Sequence, residues 1–194
     1  MHDIEPHFKW RDRYVASEDA RSPFFGRIYN EFQFTQKVYN YFIHPQWDDI
    51  GSPTLYAKIL YCDYDEQYAI IEFIGEWNDC ISNDVMILKQ NMINALIEEG
   101  IDKYILLCDN VMNFHGDDDC YYEEWHGDIG DHGGWICMLD TRDHIETELR
   151  DASVDHYVNL GDAFNGIAWR GLAPKALFET VLQRMGAMTR ALPY

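Results

Sequence analysis

The sequence predicts an α/β fold: a mixed, mostly parallel sheet with helices packed on it, in the order β-β-α-β-α-β-α-β-α. Three observations predict it. Two strand-like runs follow one another through a five-residue loop. Two later runs are short and wholly apolar, the pattern of strands covered on both faces. Segments with apolar residues at helical spacing separate and follow these strands.

The first fifty residues carry many rings, among them Trp10, Phe24, Tyr29, Phe32, Tyr41 and Trp47. Such a segment needs a surface to pack on, so residues 1–50 are read as an aromatic N-terminal extension lying on the core. Val38 to Ile43 is β-branched and aromatic and ends at His44-Pro45, which predicts an extended segment. A helix through Phe34, Val38, Tyr41 and Phe42 is the rival reading. Asp48 to Pro53 is a turn cluster and marks the boundary to an α/β domain over residues 51–194.

Thr54–Cys62 and Tyr68–Gly75 are the opening strands, and Asp63 to Gln67 suits a hairpin loop. Ser82 or Asn83 can cap a helix reaching Glu99, with Val85, Leu88, Met92, Ala95 and Leu96 on its apolar face. Gly100 stands where a helix-ending glycine belongs. Tyr104–Cys108 and Trp135–Leu139 are the buried strands, with an acidic, aromatic stretch over residues 113–134 between them. Thr141 can cap a helix over 142–152, and His156–Leu160 is a further short strand. Pro174 fits the first turn of a last helix whose Leu177, Phe178, Val181, Leu182 and Met185 share one face.

Composition excludes several function classes. The 194 residues hold 15 Lys and Arg against 34 Asp and Glu, a formal net charge of -19. That surface repels phosphate backbones and anionic bilayers, so neither nucleic acid nor membrane is an expected partner. At 47% hydrophobic and 15% aromatic residues, the chain is too apolar to be a disordered acidic tail. The N-terminus lacks a basic segment followed by an apolar one, and no apolar run approaches the roughly 20 residues of a membrane span. A cytoplasmic protein is expected. Cys62, Cys80, Cys108, Cys120 and Cys137 form no C-x-x-C pair, which argues for reduced thiols over a zinc site.

The element order over residues 54–190 resembles the STAS domain of anti-sigma-factor antagonists and the related SpoIIAA-like bacterial proteins. Ile74-Gly75-Glu76 is similar to the Gly-Glu that closes the family's second strand. The family then has an Asp-Ser-Ser-Gly segment at a helix N-terminus after its third strand. Here that stretch corresponds to Val111 to Asp119, and the place of the phosphorylatable serine falls near Asp117 or Asp118. No serine or threonine stands there. The resemblance implies a non-catalytic protein-interaction or regulatory domain that carries charge permanently where the family gains it by phosphorylation. Asp117, Asp118, Tyr121, Tyr122 and Trp125 are then the candidate interaction surface, with aromatic anchors among steering charges. A homo-oligomer is an alternative use of the aromatic extension.

The rival reading is enzymatic. Asp109 and Asp140 each follow an inferred parallel strand, where open α/β sheets place their ligands. They could hold a magnesium-type ion for a hydrolase or phosphoryl-handling reaction, with Asp162 joining them. His115 is a further candidate metal ligand, and the alternative role for each Asp is to cap a turn. Arg170 can pair an internal carboxylate or bind an anion. No nucleophile elbow, phosphate loop or dinucleotide fingerprint occurs, so no organic cofactor is expected.

Overall fold

The computed structural model describes residues 4–30, 32–131 and 133–191. Its centre is a six-stranded mixed sheet in the order β3-β4-β5-β6-β7-β8, so neighbours in the sheet are also neighbours in the chain. The edge strand β3 (Asp48–Asp49) and β4 (Leu55–Asp63) are antiparallel, as are β4 and β5 (Tyr68–Asn78). The following neighbours are parallel: β5 with β6 (Lys103–His115), β6 with β7 (Trp135–Leu139), and β7 with β8 (Val158–Asn159). The mixed α/β class and the order from the first hairpin onward are those the sequence predicts.

Right-handed crossovers between strands that advance steadily in one direction place every crossover helix on the same face. That face carries a helical run made of α2 (Asp84–Leu88), a π-turn (Lys89–Ile93) and α3 (Asn94–Glu98), preceded by the short α1 (Asp79–Ser82). Next come α4 (Cys120–Gly130) and α5 (Asp143–Asp151). Val85, Leu88, Met92, Leu96, Tyr122, Trp125, Ile129, Ile145 and Leu149 pack there against Ile59, Ile71, Phe73, Leu106 and Met138 of the strands.

The opposite face has no crossover helix to cover it. The C-terminal helix α6 (Pro174–Ala191), the loop before it and the N-terminal segment do so instead. Trp10, Phe164, Trp169, Leu177, Phe178 and Val181 meet Leu60, Tyr68, Ile70, Ile105, Leu107, Cys137 and Leu139. Polar ties hold the N-terminal segment in place. The Trp10 indole donates to Leu172 O at 2.9 Å, and the Trp47 indole to Ile4 O at 2.8 Å. Buried Asp48 accepts from Lys58 Nζ at 3.0 Å, Arg27 at 3.1 Å and Tyr29 Oη at 2.6 Å.

Several elements differ from the sequence reading in extent. The β6 strand continues past Cys108 to His115, because β5 also runs on past Gly75 to Asn78 and offers it a partner. Gly75 is required there. Its φ is +120°, and a Cβ would sit 1.9 Å from the carbonyl oxygen of Thr54, the residue before β4. The segment over 38–43 is neither one extended run nor a helix: a turn at Tyr39 and Asn40 breaks it into β1 (Lys37–Val38) and β2 (Tyr41–Phe42) of a small hairpin. The acidic stretch contains α4, whose Tyr122, Trp125 and Ile129 recur at helical spacing. Thr141 does not cap α5: Arg142 holds that position, and the Thr141 hydroxyl donates to Glu146 at 3.1 Å. The last predicted strand shrinks to β8 behind a 3-10 turn, Val154–His156. Leu182 is 40% exposed and leaves the buried face of α6. The cysteines are free, with Cys62, Cys108 and Cys137 buried. Among the described residues no helix is long and apolar enough to cross a membrane.

Candidate functional site

Two polar regions lie beside the sheet. One sits under the N-terminal segment, midway along β5 and β6 and at the carboxyl end of β7, so Asp140 follows its strand as expected whereas Asp109 lies inside β6. Glu72 is the single charge in the run Tyr-Ala-Ile-Ile-Glu-Phe-Ile of β5 and points to the face covered by the N-terminal segment. It is almost wholly buried. It accepts from the His7 backbone N–H at 2.7 Å, from Asn110 Nδ2 at 3.4 Å and from Arg170 Nη2 at 3.2 Å. Burial raises its carboxyl to about 7, against the opposing pull of the His7 N–H and Arg170.

Arg170 reaches this cluster from the 3-10 turn Trp169–Gly171 and also lies 2.5 Å from Asp109 Oδ2. It stacks on Trp169, its guanidinium carbon 4.2 Å from the ring centroid. Of the two roles open to it, Arg170 therefore takes the internal ion pair. Asp140 follows β7 with φ +54°, and its Oδ1 accepts from the Gly166 N–H at 2.8 Å. Burial raises its carboxyl, and the charge of Asp109 adds to the effect. Asp109 and Asp140 thus share one electrostatic neighbourhood, and each is engaged by the chain itself. Asp162 is exposed on the loop after β8, and His115 is exposed at the far end of β6. Among the described residues no three His, Cys, Asp or Glu side chains gather as a metal-holding group.

The second region is the turn between β6 and α4 with the outer side of that helix. Asp117 and Asp118 are exposed, and Tyr121 is half-buried. Asp118 Oδ1 accepts from the Cys120 N–H at 3.2 Å, and its hydrogen bonds with Cys120 hold its carboxyl below the usual range. Residues 115–131 include Asp117, Asp118, Asp119, Glu123, Glu124, Asp128 and Asp131, without a Lys or Arg. Counter-charge comes from Lys89 in the π-turn, at 2.6 Å from Glu124 and 2.8 Å from Asp128.

Tyr122 and Trp125 must be removed from the candidate surface. Both are 0% exposed. Tyr122 Oη donates to Asp79 at 2.8 Å, where Trp77 Nε1 and the Val85 N–H also bond. Trp125 packs edge-on to Tyr104, centroids 5.0 Å apart. Their rings complete the domain's own core, because an eleven-residue amphipathic helix must bury its apolar side on the sheet. The sequence reading missed Glu72 and His7. A lone carboxylate inside an apolar strand was the signal for Glu72. Nothing in the local sequence marks His7, which reaches the cluster from 65 residues away.

No family model matches the sequence, and no curated protein matches it. The chain is similar in structure to a candidate anti-sigma factor antagonist from Thermotoga maritima. The identity is 16%, the TM-score is 0.43, and the match covers 64% of this chain and 92% of that one.

Proposed function

We propose that this chain is a non-catalytic, STAS-like interaction or regulatory domain whose partner presents a basic surface. The observation that carries the reading is the exposed acidic turn. Asp117 and Asp118 stand before α4, free of any Lys or Arg in the surrounding stretch, with Asp118 oriented by the Cys120 N–H. A carboxylate at a helix N-terminus is stabilised by the free N–H groups and by the macrodipole. The charge there is permanent, since no serine or threonine occupies residues 113–119. The engagement of Asp109 by Arg170 and of Asp140 by Gly166 supports a structural use of both carboxylates.

The test is affinity capture with the full chain, comparing wild type with Asp117→Asn/Asp118→Asn at low and at moderate salt. Both side chains are exposed, so the variant keeps its fold. The expected result is a partner recovered by wild type, released by salt and reduced at least fivefold with the variant. Equal, salt-independent recovery by both proteins would remove the acidic turn from any interface.

A further inference from the structure

A second site lies beyond the acidic turn, on the other face of the sheet. The β1–β2 hairpin roofs a cavity of about 440 Å³ at the carboxyl end of β5 and β6. Its size falls in the range of small-molecule sites, and its place is where open α/β sheets hold ligands. Val38, Tyr39, Ile43, Ile74 and Met112 are among its lining, together with Arg142, which is exposed.

The polar groups of this cavity differ in how they are used. Glu76 already accepts from Tyr39 Oη on one oxygen and from Asn113 Nδ2, at 3.0 Å, on the other. Asn110 donates to Glu72. Arg142 is different: among the described residues its guanidinium has neither an ion pair nor a hydrogen bond, in a chain where acids outnumber bases by more than two to one. An apolar chamber with one uncommitted cation selects an apolar body ending in an anion. The roof is also the kind of element that can open. It is a hairpin of two residues per strand, with Tyr39 in the left-handed region at φ +53° and its hydroxyl latched to Glu76.

We propose that this cavity binds a free, apolar monocarboxylate of roughly ten non-hydrogen atoms. Its carboxylate pairs with Arg142, and its hydrocarbon lies between Ile74, Met112 and the hairpin.

Isothermal titration of the full chain with octanoate, octan-1-ol and acetate tests this. Saturable 1:1 binding of octanoate is expected, with acetate silent. Arg142→Gln should weaken octanoate at least tenfold, and wild type should bind octanol no more tightly than this variant binds octanoate. Met112→Trp, which narrows the chamber from an exposed position, should weaken both long ligands. Melting curves matching wild type confirm that the variants fold. The proposal is overturned by absence of saturable octanoate binding to wild type, by equal octanoate affinity in Arg142→Gln, or by full affinity in Met112→Trp. The acidic-turn reading is independent of every one of these outcomes.

Discussion

The two faces of the sheet are covered by different physics. On the face of α2 to α5, apolar side chains interdigitate around buried carboxylates, among them Asp79, which has its hydrogen-bond donors in Trp77, Tyr122 and Val85, and Asp84, which accepts from the Asn78 N–H at 2.7 Å. On the other face, the terminal segments cover the strands, and two ionic clusters sit among the apolar contacts: Glu72 with Asp109 and Arg170, and Asp48 with Lys58 and Arg27. Helices that belong to the crossovers arrive at their face by topology. Segments from the chain's ends have no such constraint, so specific polar ties fix where they lie. Burial raises carboxyls on both faces, Asp79 to about 6 and Asp84 upward on the first and Glu72 to about 7 on the second, where Glu72 is also paired with a cation, Arg170.

The largest effect is expected on the apolar face. Trp125→Ala should cost about 3–5 kcal/mol in denaturant unfolding, the range for a buried large aromatic residue. A loss under about 1 kcal/mol would mean that α4 is not part of the core.

On the ionic face, Arg170→Met leaves Glu72 and Asp109 without their cation. Because the guanidinium is half-exposed, the cost at pH 8 should be about 1–3 kcal/mol, below that of a fully buried pair. The cost should shrink at pH 5.5, where Glu72 is protonated. Equal cost at both pH values would show that the pair is not the source.

Glu72 sharpens the contrast. Its folded carboxyl, at about 7, lies above the ordinary 4.5, so the native state holds the proton more tightly than the unfolded chain does between those values. Stability therefore falls as pH rises through that window, by about 1 kcal/mol per pH unit near its centre. Glu72→Gln should remove that part of the slope, while the general relief of acidic repulsion at low pH persists in both proteins. Identical slopes for wild type and variant between pH 5 and 7 would refute it.

The smallest effect belongs to the extension's exposed aromatic surface. Phe32 is 95% exposed, so Phe32→Ser should change stability by under about 0.5 kcal/mol. A larger loss in the isolated protein would show that this residue is covered in solution.

Legibility followed the range over which each interaction acts. Trp135–Leu139 was read to the residue because a doubly covered strand is wholly apolar and shows it locally. Helix α4 was hidden by its acidic outer side, and its buried rings looked like surface anchors for the same reason. Arg170 was visible as an isolated cation, but its partners Glu72 and Asp109 lie 98 and 61 residues away in the chain. The chamber beneath the β1–β2 hairpin has no sequence signature, since its walls come from the extension, β5, β6 and the turn after β7.

The amino-acid pattern by itself determined the main strands, the helices other than α4 and their order, because apolar periodicity and turn chemistry act within a few residues. It also determined that an excess of acid must stand outside the core. Only the tertiary structure decided which rings of the acidic stretch are buried, that Asp109 faces an arginine, and that the extension and Arg142 line a half-open cavity. Those outcomes depend on which segments meet across the sheet, and desolvation and pairing energies are set there and not along the chain.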